Sequence, residues 1–227
     1  MGKYNVSYAN SDEFYELKKE IFSENCYFLD DASFDFAQDE SMLIIDSGAH
    51  IGLTMLYFKM LFPKATIKAF EPIPENFELL AKNVAENQLE NVELYQAVIA
   101  PKSGMLRIHE PIGEGAWKSG AGIIPKGWKG IQDNREIRVE AVGIQEILKE
   151  KIDIFKMDIE GMEYEIIRNA VPLIRNVKNW LMEVHPRKDH RIEEIEKTLR
   201  QNGYRVELSK DESTLGRGLT HIHAVLK

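Results

Sequence analysis

The sequence contains a single cysteine, Cys26, among its 227 residues. One cysteine can support neither a disulfide framework within the chain nor a cysteine-rich zinc site. Long apolar runs are also lacking, because the best one, residues 51–62, is shorter than the ~18 residues of a membrane span and contains Lys59. The first ten residues show no basic stretch followed by an apolar one, so we expect no secretion signal and a cytoplasmic location.

Basic residues are too few to balance the acidic ones. The chain has 29 Lys and Arg against 37 Asp and Glu, a formal net charge of −8. This balance disfavours general nucleic-acid binding, which usually needs a basic face. Residues 1–50 carry 11 acidic and 3 basic residues, so 3 − 11 = −8 accounts for the whole net charge. We interpret this acidic segment as a solvated face, with a docking surface for a basic partner as the alternative.

Internal repeats and Pro- or Ser-rich linkers are absent from the sequence, which favours one continuous domain. Short apolar runs alternate with helical patterns of 10–15 residues, as in βαβ units with a parallel sheet. The predicted strands are Met42–Ile45, Ala65–Phe70, Val92–Val98, Ile152–Met157, Trp180–Val184, Tyr204–Leu208 and His221–Leu226. The predicted helices between and after them cover 53–62, 74–87, 162–170 and 190–202.

An amphipathic helix is predicted ahead of this alternation, over residues 11–23. Phe14, Leu17 and Ile21 recur at helical spacing, and Ser11 is the expected N-cap. We therefore divide the chain into an N-terminal helical extension, 1–40, and a main domain, 41–227. The helix is expected to pack on the sheet edge or cover a ligand, and homodimer formation is the lesser alternative.

Residues 104–143 break the strand–helix alternation and hold 8 of the 15 glycines. We predict a hairpin between Met105–His109 and Ile137–Val142, with a long loop that contains Trp117 and Trp128. Long irregular loops in compact domains are usually functional or disordered. We interpret this insertion as a lid over a substrate, with a surface hairpin whose tryptophans fill a small core as the alternative.

A glycine turn follows the first predicted strand. Asp46, Gly48 and Gly52 stand between a buried strand and a helix, where glycines permit a tight turn and close approach of a ligand. The spacing differs from the G-x-G-x-x-G of a dinucleotide site. A carboxylate at this position would repel a pyrophosphate but accept a hydrogen bond from a ligand ammonium. S-adenosylmethionine carries such an ammonium and has no phosphate.

Glu71 lies at the end of the next predicted strand. A carboxylate there can accept hydrogen bonds from both ribose hydroxyls of a nicotinamide or an adenosyl cofactor. Taken alone, Asp46 and Glu71 are compatible with simple helix-capping roles. Two acids at successive strand ends beside a glycine turn favour adenosine binding.

Four motifs together resemble the FkbM family of S-adenosylmethionine-dependent methyltransferases. They are IIDSGAHIG at 44–52, FEPIPENF at 70–77 with Leu80 and Asn83 beyond it, KMDIEGME at 156–163, and EVH at 183–185. The resemblance implies a class I methyltransferase fold: a doubly wound α/β sheet of seven strands in the order 3-2-1-4-5-7-6, with strand 7 antiparallel. It also implies methylation of hydroxyl oxygens on small molecules, sugars or lipids.

The resemblance assigns cofactor-binding roles to residues in this sequence. The methionine moiety would lie among Asp46, Gly48, Ala49, His50 and Gly52, the ribose at Glu71, and the adenine beside Pro72, Gln96 and Ala97. The sequence departs from the family at His50, where Asn is usual. His also tolerates a positive φ, so we expect the turn to survive.

Catalytic candidates follow the fourth and fifth predicted strands of the sheet. Asp158, Glu160 and His185 fall at the carboxyl edge, where open α/β sheets bind ligands. Methylation of a hydroxyl needs a general base, and His185 has the unperturbed pKa best suited to that role. Because Asp158 and Glu160 alternate with other residues after the strand, we expect only one of them to face the cofactor. As an alternative, both acids could stabilise the N-terminus of the following helix. These residues with Glu183 could also hold Mg²⁺, although we expect no metal ligands.

Three other functions compete with small-molecule methylation. A methyltransferase for RNA or protein would use the same cofactor site, and a non-catalytic adenosyl-binding module would lack turnover. A nicotinamide-dependent oxidoreductase is disfavoured by the glycine spacing and by Asp46.

Overall fold

The computed structural model of the chain describes residues 4–23, 27, 42–113, 115–123, 133–185, 187, 192–210 and 219–227. Cys26, Trp128 and most of the predicted extension after residue 23 lie outside the described residues, so the predictions that fall there stay predictions. No helix within these ranges is both long enough and apolar enough to cross a membrane.

A seven-stranded sheet forms the centre of the fold. Its strands are β1 (Leu43–Ser47), β2 (Thr66–Phe70), β3 (Val92–Tyr95), β7 (Ile152–Met157), β8 (Val177–Val184), β9 (Tyr204–Lys210) and β10 (Thr220–Leu226). Their order is β3-β2-β1-β7-β8-β10-β9. All neighbours are parallel except β10, which runs antiparallel to β8 and β9. Counted within this sheet alone, the order is 3-2-1-4-5-7-6, so the predicted fold is confirmed.

Six helices accompany the strands in the described chain. They are α1 (Ser11–Phe22), α2 (Leu53–Leu61), α3 (Pro74–Glu86), α4 (Ile144–Ile147), α5 (Glu163–Ala170) and α6 (Ile192–Gln201). Pro74 begins α3, where its missing N–H costs nothing. Gly52 precedes α2 with φ 93°, a left-handed conformation that glycine adopts without steric cost.

The central strands are buried on both faces, which explains their continuous apolar sequence. Ile44 and Ile45 are consecutive in β1 and are 0% and 1% exposed. Because side chains alternate along a strand, Ile44 packs in the core beside α1 and α2, whereas Ile45 packs in the core beside α5 and α6. The two cores hold the strands of one three-layer domain in register.

The structure corrects the third predicted strand, Val92–Val98. The strand ends at Tyr95, and residues 98–100 form a separate strand, β4 (Val98–Ala100), in a second sheet. In this sheet β4 pairs with β6 (Asn134–Gly143), which pairs in turn with β5 (Gly104–Pro111). The apolar run is interrupted at Gln96, an exposed position where the chain leaves the main sheet.

The second sheet contains the predicted hairpin. Strands β5 (Gly104–Pro111) and β6 (Asn134–Gly143) pair antiparallel. Both are longer than predicted, so the loop between them is shorter than Glu110–Glu136. Residues 114 and 124–132 of that loop are outside the described part of the chain.

The N-terminal segment is fastened to α3 by two asparagine side chains. Asn83 accepts from Ser7 N at 2.7 Å and donates to Ser7 O at 3.0 Å. Asn87 makes the same pair of bonds with Asn5, at 2.9 and 2.7 Å. Each side-chain amide thus binds both the backbone N–H and the backbone C=O of one residue, as a residue of a neighbouring strand does. The N-cap of α1 is Asn10 and not Ser11 as predicted, because the Asn10 side chain accepts from the N–H groups of the first turn.

Candidate active site

The carboxyl edge of the sheet gathers side chains that are far apart in sequence. Asp46 is the penultimate residue of β1, Glu71 follows β2, Asp158 follows β7 and His185 follows β8. Three of these strands are direct neighbours around β1, since β1 pairs with both β2 and β7. The predicted candidates therefore lie along one edge, although their individual roles stay predictions.

The glycine turn after β1 is tight and pressed against neighbouring strands. Gly48 N and Ala49 N both donate to Phe70 O at 3.0 Å, which ties the turn to the end of β2. A Cβ on Gly48 would lie 1.8 Å from the carbonyl oxygen of Asp158, so no side chain fits there. His50 has φ 49° and so takes the left-handed conformation expected of this departure from the family pattern.

Asp46 is fully buried beneath this turn and faces a lysine that the sequence analysis did not select. Lys156 Nζ lies 3.3 Å from Asp46 Oδ1 and 3.7 Å from Asp158 Oδ2. Burial raises the pKa of Asp46, and the Lys156 ammonium opposes that rise. Burial by itself lowers the pKa of Lys156, but the carboxylates of Asp46 and Asp158 outweigh it and raise the pKa overall. Lys156 could have been found from the sequence, because a lysine inside a buried strand needs a partner.

Glu71 is 4% exposed and accepts three hydrogen bonds from the protein. The donors are His50 N at 2.8 Å, Ile73 N at 3.0 Å and Asn76 Nδ2 at 3.3 Å. Burial raises the pKa of Glu71 to about 7, although each of these bonds favours the charged form. A carboxylate has about four acceptor sites, so roughly one is left for a ligand hydroxyl.

The residues proposed for the adenine lie near Glu71 but differ in exposure. Glu71 N donates to Tyr95 O at 3.1 Å, so Pro72 and Gln96 follow two paired strand ends. Pro72 is half-buried and Gln96 is exposed, whereas Ala97 is 4% exposed and packs in the core. Their contact with adenine stays a prediction.

His185 forms the centre of an acidic cluster at the ends of β7 and β8. Its Nδ1 lies 2.8 Å from Glu163 Oε1, and its Nε2 lies 3.4 Å from Glu160 Oε2 and 3.7 Å from Glu183 Oε1. The imidazole is 1% exposed. Burial by itself would lower the pKa of His185, but Glu160 and Glu163 outweigh it and raise the pKa well above the ordinary value. Burial raises the pKa of Glu160, and it raises that of Glu183 well above the ordinary value.

This electrostatic arrangement changes the expected proton chemistry. Glu160 and Glu163 stabilise the protonated imidazole, which makes His185 a poorer proton acceptor and the neighbouring carboxylates the stronger base candidates. Glu163 is the member of the cluster that the sequence analysis missed. Its fixed bonds to His185 Nδ1 and Gly161 N orient the imidazole toward Glu160 and Glu183.

Glu160 is held in an unusual backbone conformation. Its φ is 54°, and the following Gly161 has φ 112°. Arg187 Nη1 donates to Gly161 O at 2.7 Å and thereby supports this turn. Asp158 contacts Lys156, whereas Glu160 contacts His185, so the two carboxylates of the Asp-x-Glu motif serve different partners. Backbone strain of this kind clusters at functional sites.

The first part of the hairpin loop covers this edge. Ser119 N donates to Glu13 Oε1 at 2.8 Å, which joins the loop to α1. A Cβ on Gly122 would lie 2.3 Å from Glu160 Cβ, so the loop backbone packs directly on that side chain. We call residues 117–122 the cover segment. That it acts as a lid over a substrate stays a prediction.

A cavity of about 620 Å³ lies between the N-terminal segment, the glycine turn, α3 and the cover segment. Its walls include Tyr8, His50, Asn76, Glu110, Trp117 and Arg135. His50 and Asn76 are also two of the residues that hydrogen-bond to Glu71. The cavity therefore reaches the immediate surroundings of Glu71.

Potential metal ligands also meet at this edge. Single ligand atoms of Asp158, Glu183 and His185 lie within 4.8 Å of one another, as do those of Glu20, Glu183 and His221. The first group contains three of the four residues anticipated from the sequence for Mg²⁺; the fourth is Glu160.

Comparisons with known proteins place the chain among methyltransferases. The family model described as Methyltransferase FkbM domain matches residues 46–206. Methyltransferase sdnD of Sordaria araneosa is 30% identical over 193 residues, which cover 71% of this chain and 72% of that protein. The 31-O-demethyl-FK506 methyltransferase FkbM of Streptomyces tacrolimicus is 25% identical and covers 97% of this chain and 92% of its own length.

Among solved structures, the METTL16 MTase domain superposes with a TM-score of 0.52. It is 13% identical, and the match covers 89% of this chain and 66% of that chain. At this identity the likeness supports the fold alone, and it agrees with the strand order described above.

Proposed function

The chain belongs to the FkbM family of S-adenosylmethionine-dependent methyltransferases, and from that premise we propose that it methylates a hydroxyl oxygen of a small molecule. The family model covers residues 46–206, which include the glycine turn, Glu71 and the His185 cluster. The methyl acceptor and the roles of individual residues are the proposed parts.

The main support for the proposal is the excess of carboxyl groups over basic side chains at the carboxyl edge of the sheet. Six carboxyl groups and two basic side chains converge there; they are Asp46, Glu71, Asp158, Glu160, Glu163 and Glu183, with Lys156 and His185. S-adenosylmethionine carries a net positive charge, whereas nicotinamide dinucleotides carry an anionic pyrophosphate. An acidic edge attracts the first ligand and repels the second.

We propose that the adenosyl ligand reaches Glu71 through the cavity. His50 and Asn76 line the cavity and donate to Glu71, so they fix that carboxylate while one of its acceptor positions stays available. A ribose hydroxyl is the donor that suits this position. The glycine turn supplies the close backbone approach that the methionine end requires.

When bound, S-adenosylmethionine supplies a methyl group on a sulfonium, which is a good leaving group. The protein must therefore align the acceptor and take its hydroxyl proton. We propose that Glu160 accepts this proton, since burial raises its pKa and so makes it a stronger base, and the cover segment lies against it. His185 then holds Glu160 in place, and the cover segment excludes water.

A hydroxyl acceptor is supported by the relative from Streptomyces tacrolimicus, whose name specifies methylation at an oxygen. The cavity also suits a small polar molecule with hydroxyl groups. Its walls combine carboxylates and amides with the aromatic rings of Tyr8, Phe14 and Trp117. An RNA acceptor is disfavoured, because phosphates would meet an acidic edge.

Magnesium does not fit the cluster well. Mg²⁺ prefers oxygen ligands in octahedral geometry, whereas the group of Asp158, Glu183 and His185 supplies one nitrogen. The Lys156 ammonium already lies 3.7 Å from Asp158. We propose that the reaction proceeds without a divalent cation, so that turnover is unchanged by a chelator; loss of turnover that only Mg²⁺ restores would contradict this.

Calorimetric titration tests the cofactor assignment. We expect micromolar binding of S-adenosylmethionine and S-adenosylhomocysteine and no binding of NAD⁺. Binding of NAD⁺ alone, or of none of the three, would contradict the proposal. Transfer of a labelled methyl group to a panel of hydroxylated small molecules, with RNA and protein as comparison substrates, then tests the acceptor class.

A further inference from the structure

Lys156 occupies a position that is unusual for a lysine. It lies inside β7, between residues of the apolar run Ile152–Met157, and it is 1% exposed. Burying an ammonium is costly unless it is paired and hydrogen-bonded. The carbonyl oxygens and carboxylates that compensate this cost belong to the candidate active site.

The ammonium bridges the glycine turn and the carboxyl ends of two strands. Lys156 Nζ donates to Gly48 O at 2.6 Å, with Ser47 O at 3.4 Å. Its charge faces Asp46 and Asp158, at 3.3 and 3.7 Å. One side chain thereby contacts the turn assigned to the cofactor and the carboxylate that follows β7.

We propose that Lys156 is a positioning residue that holds the glycine turn and Asp158 in one arrangement, and that Asp46 acts on the cofactor only through Lys156. Asp46 is 0% exposed and its carboxylate already faces an ammonium of the protein. This differs from the expectation that Asp46 accepts a hydrogen bond from the ligand ammonium. The inference rests on the proposed cofactor.

The chain provides a matched control in Lys59. This lysine is 4% exposed and donates to Ala65 O and Glu90 O, both at 2.6 Å. Ala65 precedes β2, so Lys59 lies at the edge of the sheet opposite the site. Both lysines are buried and bind backbone carbonyls, but only Lys156 contacts the glycine turn.

The first test compares Lys156→Met with Lys59→Met in titrations with S-adenosylhomocysteine. We expect Lys156→Met to weaken binding about 10- to 100-fold, because it releases the Gly48 carbonyl and leaves two carboxylates without a counter-charge. Lys59→Met should lower thermal stability and change affinity less than about threefold. Equal affinity losses in the two variants, or none in Lys156→Met, would overturn the proposal.

A double-mutant cycle tests the indirect role of Asp46. If Asp46 acts through Lys156, Asp46→Asn should weaken binding less than Lys156→Met. The double variant should then match Lys156→Met within about twofold. If Asp46 contacts the ligand directly, Asp46→Asn will cause the larger loss and the two effects will multiply, which would overturn that part of the inference.

Hydrogen exchange provides a test that does not need the cofactor. Gly48 N and Ala49 N donate to Phe70 O in the unliganded chain, so their exchange reports the order of the turn. Lys156→Met should speed this exchange at least about tenfold relative to Lys59→Met. Unchanged exchange in Lys156→Met would overturn the inference about Lys156, whether or not the wild-type protein binds an adenosyl ligand. Failure of the wild-type protein to bind an adenosyl ligand would contradict only the proposed function.

A second variant covers the case in which Lys156→Met does not fold. Lys156→Gln keeps an N–H donor for Gly48 O but removes the charge. We expect an intermediate loss of affinity and faster exchange at residues 48 and 49. Wild-type values for both would overturn the proposal.

Discussion

The carboxyl edge of the sheet has two halves, one at β1 and β2 and the other at β7 and β8. Their carboxylates have different kinds of hydrogen-bonding and charged partners. At β1 and β2, Glu71 accepts three hydrogen bonds from neutral donors, and Asp46 faces the Lys156 ammonium, which also lies near Asp158. At β7 and β8, three glutamates share the single imidazole of His185. The first half has its donors fixed before any ligand arrives, which suits recognition. The second half has more carboxyl groups than cations, which suits proton transfer.

The largest expected effect is a loss of turnover without a loss of cofactor affinity when His185, in the β7–β8 half, is replaced. His185→Gln removes the cation that Glu160 and Glu183 share, so we expect turnover to fall about 100-fold or more. Affinity for S-adenosylhomocysteine should stay within about threefold, because the cofactor half is untouched. Steady-state kinetics and titration measure the two quantities. His109→Gln, on β5 and outside the cluster, is the control.

Equal losses of turnover and affinity in His185→Gln would show that the two halves do not act separately. Such a result would remove the distinction between recognition and proton transfer drawn from their bonding.

Replacement of Glu71, in the β1–β2 half, is expected to weaken cofactor binding. Glu71→Gln replaces a charged acceptor by a neutral one, which should weaken S-adenosylhomocysteine binding about 10-fold or more, since bonds to charged groups contribute about 1.5–3 kcal/mol. Glu78→Gln, at an exposed position of the helix α3 that follows Glu71, should bind normally. If Glu71→Gln binds as tightly as the wild type, the ribose is not held at β2.

Affinity should also depend on pH through Glu71. Burial raises its pKa to about 7, and ribose hydroxyls donate to the ionised form. Affinity should therefore rise about tenfold from pH 6 to pH 8, and binding near pH 7 should release a proton, measurable by titration in buffers of different ionisation enthalpy. Glu71→Gln should abolish both effects, and a pH dependence that persists in this variant would assign it to another group.

The same pKa affects the stability of the unliganded protein with the opposite sign. The folded pKa of about 7 exceeds the ordinary value of 4.5, so the folded state binds the proton more tightly. The contribution of Glu71 to the free energy of unfolding therefore falls as pH rises between these values, by up to about 3 kcal/mol. Denaturant unfolding of wild type and Glu71→Gln across this range measures it.

The smallest expected effect concerns the cover segment. Glu13→Ala removes the acceptor of the Ser119 N–H, 2.8 Å away, so hydrogen exchange at Ser119 should accelerate about tenfold. Glu16→Ala, at an exposed position of α1, should leave it unchanged. Equal exchange in both variants would show that Glu13 does not secure the segment.

Local sequence patterns predicted the strand–helix alternation and much of the sheet edge, whereas the strand order was implied by the resemblance to the FkbM family. Ile152–Met157 was predicted with the bounds that the structure has, because four of its six residues are apolar and a short apolar segment is typical of a buried strand. The third strand was less predictable. Its apolar run continues past Gln96, and only the pairing of β4 with β6 shows that the chain has changed sheets.

The sequence by itself determined the strand–helix alternation, the glycine turn with its left-handed residues, and the acids at the carboxyl ends of β1, β2 and β7. These features depend on period and on turn chemistry, which act over a few residues. Tertiary structure alone decided which charges meet. Lys156 lies beneath the glycine turn, although the turn precedes it by more than 100 residues in the sequence. Glu163 likewise orients His185. Such pairs form because buried charges must find partners in space, wherever those partners stand in the chain.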